Sequence, residues 1–310
     1  MTGKERVKAA LAHREGDRVP TMEFCHDFTV IEDVLGHETF WRGHFKELKA
    51  YWDGGRDEVV ASQKRDMVQF VRELGLDGVQ VNLVPPKGFR PEALQQLDDE
   101  TWRDWRGNLY RYSAQTYDLM LFRQGALEPQ PAPDLWEPPD EIDESEWELI
   151  DYVLQELGDT HYVFARPGRR LACGYPSALG WEPMMVRLAD DPDGVREDRI
   201  AGAQAQVQTF YMYMDRGCDN IALGEDFGHS QGPFMSPRVF SDVYVPSIEI
   251  ICEALHAIDL EVLWHACGDN RILLDQMVAA GRITPASRPK MPLPPALPSE
   301  GGVSDLIEEQ

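Results

Sequence analysis

A histidine and a cysteine lie two residues apart at the end of an apolar stretch, in the segment Leu263-Trp264-His265-Ala266-Cys267-Gly268-Asp269. On an extended strand, side chains at positions i and i+2 point to the same side. His265 and Cys267 are therefore expected to present a nitrogen and a sulfur to one metal ion, and zinc is the usual metal for this ligand pair. Such a pair also occurs where two side chains simply pack in a core, so the spacing leaves both interpretations open.

A second polar group follows a predicted strand in the segment Gly224-Glu225-Asp226-Phe227-Gly228-His229-Ser230-Gln231-Gly232-Pro233. Parallel α/β proteins hold their reactive groups at the carboxyl ends of strands, which favours a catalytic role for this segment. A glycine-rich turn with solvated acids has the same composition, so this alternative also remains open. A third polar group near the first predicted strand is more typical of solvated side chains, and it comprises Glu23, Cys25, His26 and Asp27.

The elements that must position these groups alternate between helices and strands. Hydrophobic periodicity predicts helices over 3–13, 62–74, 203–215 and 237–256, and strands over 19–24, 79–84, 161–165, 220–225 and 260–264. Such alternation predicts a parallel sheet with helical crossovers, either doubly wound or closed into a barrel. Aromatic residues on both sides of the turn Arg106-Gly107-Asn108 predict a β-hairpin outside that sheet.

Composition restricts the class of protein. The chain has 310 residues, of which 43% are hydrophobic, and its formal net charge is -24. This charge disfavours nucleic acids and anionic membranes as partners, because both bind through Lys and Arg. Five cysteines without a framework spacing, and the lack of a secretory signal pattern, predict a cytoplasmic protein with reduced thiols.

Three motifs, in order, resemble the uroporphyrinogen decarboxylase superfamily. The opening Lys4-Glu5-Arg6-Val7 with Asp17-Arg18-Val19-Pro20, the central stretch from Gly217 to Pro237, and His265-Ala266-Cys267-Gly268-Asp269 carry the resemblance. It implies a (β/α)₈ TIM barrel over residues 1–281. A barrel of eight strands needs roughly two more strand–helix units than the sequence offers, so the last strands are expected to be missing. Six prolines between Pro285 and Pro298 predict an irregular proline-rich tail over 282–310. The abrupt change at Arg282 is typical of a truncation or a reading-frame shift. The unpaired strand edges of such a barrel predict a homodimer.

The resemblance implies two chemistries. One is methyl exchange between a corrinoid protein and a thiol or a small methylated compound, with zinc held in part by His265 and Cys267. In this case Glu225 or Asp226 is expected to complete the zinc site or to carry a proton, and Gln231 to orient the substrate. Thiol-activating relatives use a further cysteine, whereas none follows Cys267 here, which puts the full ligand set in doubt.

The other chemistry is the cofactor-free decarboxylation of uroporphyrinogen in porphyrin biosynthesis. That reaction needs arginines after the first strand to hold carboxylates, and the sequence there, Thr21-Met22-Glu23-Phe24-Cys25-His26-Asp27, contains acids and no arginine. The methyltransferase is therefore the favoured expectation. The decarboxylase and a non-catalytic remnant with a binding role remain as alternatives.

Overall fold

The centre of the protein is a parallel β-sheet of four strands. The structure, a computed structural model, describes residues 1–24, 26–123, 125, 142–166 and 181–281. The strands of the sheet are β1 (Gly78–Val81), β6 (Tyr162–Ala165), β7 (Asn220–Gly224) and β10 (Leu263–His265), and they pair in that order. All three pairings are parallel. The predicted α/β class is confirmed, and the described residues do not form an eight-stranded ring.

Helices connect and cover these strands. The α-helices are α1 (Gly3–Leu11), α2 (Phe28–Leu35), α3 (Phe45–Trp52), α4 (Arg56–Leu74), α5 (Glu148–Leu157), α6 (Trp181–Asp190), α7 (Pro192–Arg216), α8 (Pro237–Val239), α9 (Val245–His256) and α10 (Leu274–Ala280). Two 3₁₀ turns cover Glu144–Trp147 and Arg271–Leu273, and a π-helical segment, Phe240–Tyr244, joins α8 to α9. The four predicted helices are confirmed, although the second and third begin earlier than predicted.

The two faces of the sheet have different partners. Side chains such as Val81, Val163 and Ile221 are fully buried in the main core against α4, α5, α7 and α9. Alternate positions, including Phe164 and Ala222, face a smaller apolar cluster with α1. This arrangement follows from the period-2 alternation of a strand and explains why all four residues of β6 are buried.

The predicted first strand, over 19–24, is not a strand in the structure. Pro20 has no N–H to donate, and the N–H of Thr21 donates to the carboxylate of Asp77 at 2.7 Å instead of to a neighbouring strand. A backbone hydrogen bond joins the segment to the residue before β1, from the N–H of Asp77 to the carbonyl of Thr21. The carboxylate of Asp77 therefore accepts a backbone hydrogen bond that a neighbouring strand would otherwise accept, and no strand forms here.

Asp77, the residue before β1, is the buried centre of an ionic network. The residue is 2% exposed, and its carboxylate accepts hydrogen bonds from the guanidinium groups of Arg6 and Arg18, while Arg6 also binds Asp17. Burial alone would raise the pKa of Asp77, but the N–H of Thr21 and the two arginines outweigh it and lower that pKa. The network ties the N-terminal segment to the sheet.

A separate antiparallel sheet lies outside the parallel one. It consists of β2 (Gln95–Gln96), β3 (Thr101–Arg103), β4 (Leu109–Ser113) and β5 (Asp118–Arg123). The predicted hairpin is confirmed, because β3 and β4 pair antiparallel across the turn at Gly107. A short second hairpin, β8 (Gly228–His229) with β9 (Gly232–Pro233), follows β7.

Two features named from the sequence, the proline-rich tail over 282–310 and Cys25 of the third polar group, lie outside the described residues. Within the described ranges, the helices are too short or too polar to cross a lipid bilayer.

We predict that Asp77→Asn lowers the free energy of unfolding by about 2 kcal/mol at neutral pH, because it removes a charged acceptor that two arginines share. Folding lowers the pKa of the Asp77 carboxyl, so its full stabilising effect is present at a pH above its pKa in the unfolded chain, which is about 4. This effect is lost as the pH falls through the pKa of the same carboxyl in the folded protein. The difference between parent and variant should therefore narrow at acid pH. Urea unfolding at both pH values measures it.

Asp242→Asn is the matched control, since it removes an exposed carboxylate that pairs with Arg238 across one helical turn. Exposed pairs contribute little, so this variant should unfold like the parent. Equal losses in the two variants would contradict a structural role for Asp77.

Candidate functional site

The pairing of β7 with β10 brings the two polar segments to one edge of the sheet. Gly224 is in register with His265, and the N–H of Glu225 donates to the carbonyl of His265 at 3.0 Å. Both strands run in the same direction, so the residues that follow them leave the sheet at the same edge. The segment after β7 therefore meets the loop after β10.

Asp226, His265 and Cys267 form a compact group at this edge. One ligand atom from each lies within 4.8 Å of the others. The Nε2 of His265 is 3.1 Å from the Sγ of Cys267, and the backbone N–H of Cys267 donates to the Oδ1 of Asp226 at 3.0 Å. His265 and Cys267 are exposed and Asp226 is partly buried. The structure thus brings together three of the five site residues named from the sequence.

The loop that carries Cys267 is held by tight backbone contacts. Gly268 has a φ of +90°, and a Cβ at this position would overlap the backbone of Gly228. The side-chain amide of Asn270 donates to the carbonyl of Cys267 at 2.8 Å, and the N–H of Asp269 donates to the carbonyl of His229 at 2.8 Å. A residue with a side chain at position 268 would separate the loop from the β8–β9 hairpin.

Glu225 lies next to this group in a buried ion pair. Its two carboxylate oxygens accept from the guanidinium of Arg199 at 2.7 and 2.9 Å, and that guanidinium stacks on the ring of Tyr244 at 3.9 Å. Burial raises the pKa of Glu225, while the charge of Arg199 lowers it and that of Asp226 raises it further. Glu225 is therefore a buried neighbour of Asp226 and is not in the compact group.

Gln231 lies in the turn between β8 and β9. It is exposed, and its backbone N–H donates to the Nδ1 of His229 at 3.2 Å. It is not a member of the compact group of Asp226, His265 and Cys267. Its expected contact with a substrate stays a prediction.

The donor set of the compact group fits a zinc ion. Carboxylate, imidazole and thiolate are all zinc ligands, and three protein ligands with an open fourth position are typical of catalytic zinc. Ligands at about 2.0 to 2.3 Å from one ion lie roughly 3.6 Å apart in tetrahedral geometry. The 3.1 Å separation of the His265 and Cys267 atoms has to widen only slightly to reach this value.

A cavity of about 280 Å³ lies elsewhere in the fold and is linked to the group through one residue, Phe24. Phe24 lines it, and the Phe24 ring lies 5.5 Å from the ring of His265. Two residues of the third polar group also line the cavity, Glu23 as an exposed side chain and His26 as a partly buried one. Sequence reasoning missed the other polar residues of its wall, which are Arg42, His44, Glu47, Gln63, Gln80 and Asn82.

Comparison with solved structures shows which fold this arrangement belongs to. The chain is similar to a methyltransferase from Methanosarcina mazei, with a TM-score of 0.57 and 17% sequence identity over 91% of this chain and 74% of the other. It shares the fold of that protein. No protein-family model and no curated protein sequence matches the chain.

We predict that Gly268→Ala destabilises the protein more than Gly36→Ala. Both glycines have positive φ, which costs a residue with a Cβ about 1 kcal/mol or more. Position 36 is open, whereas position 268 meets the backbone of Gly228. Urea unfolding of the two variants measures the difference. Equal losses would show that the loop after β10 is not held against the β8–β9 hairpin.

Proposed function

We propose that the protein is a zinc-dependent methyltransferase or demethylase that exchanges a methyl group with a corrinoid protein. The group of Asp226, His265 and Cys267 carries this proposal, because it offers a carboxylate, an imidazole and a thiol within 4.8 Å at the carboxyl edge of a parallel sheet. The fold shared with a methyltransferase supports it. The second substrate is a thiol or a small methylated compound.

The three side chains would hold the ion and leave one position for the substrate. Bound zinc supplies Lewis acidity, which lowers the pKa of a thiol or polarises an ether oxygen. Asp226 accepts the N–H of Cys267, which fixes the loop so that the sulfur stays beside the imidazole of His265. The group is open to water on one side, since His265 and Cys267 are exposed, and a large corrinoid protein can approach there.

The neighbouring residues would support this chemistry. Glu225, whose pKa is raised by burial, is a candidate proton carrier behind Asp226, and Arg199 holds its carboxylate in place. Gln231 lies on an exposed turn that a substrate can reach. For the fold we propose an incomplete (β/α)₈ barrel of the uroporphyrinogen decarboxylase type, to which the four parallel strands belong.

We predict that the purified protein binds about one zinc ion and that bound zinc slows the alkylation of Cys267. Among the described cysteines, Cys267 is exposed whereas Cys218 and Cys252 are buried, and the peptide that contains Cys267 is read separately from those of Cys25 and Cys173. Metal coordination ties up the thiolate that reacts. His265→Ala should lose most of the zinc and most of the protection. Peptide mass spectrometry of alkylated protein, with and without zinc, measures both.

His256→Ala on α9 is the control, because His256 is not part of the compact group. It should keep the zinc content and the protection of the parent. Equal zinc content in His265→Ala and the parent would contradict the proposed site.

We predict that the zinc-loaded protein transfers the methyl group of methylcobalamin to a thiol. The thiol loses its proton, the Co–C bond breaks, an S–CH₃ bond forms, and the electron pair stays on cobalt. Loss of a residue that only hydrogen-bonds to a metal ligand lowers activity by about 10- to 100-fold. Cys267→Ser removes a proposed ligand itself, so it should lower the rate by more than this. The visible spectrum of the corrinoid and the mass of the thioether report the reaction. Decarboxylation of uroporphyrinogen without methyl transfer would overturn the proposed function.

A further inference from the structure

The cavity lined by Phe24 is built from five parts of the chain. It is bounded by the segment around Phe24, the loop over 41–44, helix α3 through Glu47, helix α4 and strand β1. Its volume of about 280 Å³ is close to the lower end of the range for small-molecule sites, about 300 to 1,000 Å³. It can hold a small organic molecule, and its wall contains both apolar and polar side chains.

Three polar groups of this wall are buried without a partner among the described residues. They are the Nε of Arg42, the Oε1 of Gln63 and the Oε1 of Gln80. Gln63 is 8% exposed and uses its amide nitrogen to donate to Glu47 at 3.1 Å, which leaves its oxygen free to accept. Buried polar groups are nearly always hydrogen-bonded, so three orphaned groups around one cavity point to a ligand that satisfies them.

The loop that carries Arg42 has a strained backbone. Arg42 and His44 have φ values of +60° and +50°, which residues with a Cβ rarely adopt. Both residues line the cavity. Strain of this kind persists only where the surrounding structure enforces it, and it is common at ligand-binding sites. The strained loop is an observation independent of the orphaned atoms.

The charges around the cavity are of both signs. The guanidinium of Arg42 makes no hydrogen bond or close ion pair with any described residue, although its charge acts on Glu47. Glu47 accepts from Tyr51 and Gln63; burial raises its pKa, and the charge of Arg42 lowers it in part. The rings of Phe24 and Trp41, with the aliphatic side chains of Val71, Leu76 and Val79, form the apolar part of the wall.

We propose that this cavity binds a small zwitterion of the α-amino-acid class, whose carboxylate pairs with Arg42 and whose N–H groups donate to Gln63 and Gln80. The carboxylate matches a planar guanidinium that donates to no described residue. The two amide oxygens and Glu47 are acceptors, so they suit a cationic nitrogen that bears N–H groups. A pure anion would meet the charge of Glu47, and a pure cation would meet the charge of Arg42, whereas a zwitterion matches both.

The test is isothermal calorimetry on the full chain with a panel of L-α-amino acids. Carboxylic acids that lack the amine and amines that lack the carboxylate, of equal size, are measured beside them. At least one amino acid should bind more tightly than both of its truncated analogues. If no amino acid binds, or if a truncated analogue binds as tightly, the proposal is overturned.

Two variants locate the binding. Arg42→Met and Gln80→Met should each weaken the binding of the amino acid about tenfold or more, since a hydrogen bond with a charged group is lost. Gln80→Met should at the same time keep or raise the melting temperature, because it removes an unsatisfied buried oxygen. A purely structural glutamine would show the opposite: a lower melting temperature without a specific loss of binding.

Gln276→Met is the matched control, because the Oε1 of Gln276 is also buried and unpartnered but lies on α10, away from the cavity wall. It should bind the amino acid like the parent. His265→Ala should also keep the binding, which separates this site from the proposed zinc site. Unchanged affinity in both Arg42→Met and Gln80→Met would overturn the proposal.

Discussion

The parallel pairing of β7 with β10 is the constraint on which the candidate site depends. Three backbone positions are in register, and the last pair, Gly224 with His265, sets the distance between two segments that are about 40 residues apart in sequence. From that pair onward, each chain leaves the sheet beside the other. Asp226 therefore reaches the N–H of Cys267, and Gly268 packs on Gly228. A shift of one residue would turn His265 to the other face.

Arginines organise the acidic chain around this sheet. Arg6 and Arg18 share Asp77 before β1, Arg199 pairs with Glu225 beside the site, and Arg56 joins α4 to the region before α5 through the carbonyl of Ser145. With 54 acidic and 30 basic residues, most acids have to remain at the surface. The few buried carboxylates are stabilised because planar guanidinium groups donate to both of their oxygens.

The two candidate sites meet at Phe24. Its ring contacts His265 on one side and lines the cavity on the other. The segment over 19–24 lies beside the sheet and does not join it as a strand. One reason is that the N–H of Thr21 donates to Asp77 and is not available for strand pairing. Because this segment is not a strand, contrary to the prediction, Glu23, Phe24 and His26 lie at the cavity wall.

The sequence by itself determined the alternation of helices and strands, the parallel sheet, and the proximity of His265 to Cys267, because these follow from local periodicity and from a two-residue spacing. The sequence named two neighbouring acids, Glu225 and Asp226, as candidates for a third member of the group. Only the tertiary structure shows that Asp226 lies beside His265 and Cys267, while Glu225 pairs with Arg199. It alone also assembled Arg42, Gln63 and Gln80 around one cavity, because no sequence period relates a strained loop, a helix and a strand that become neighbours through packing.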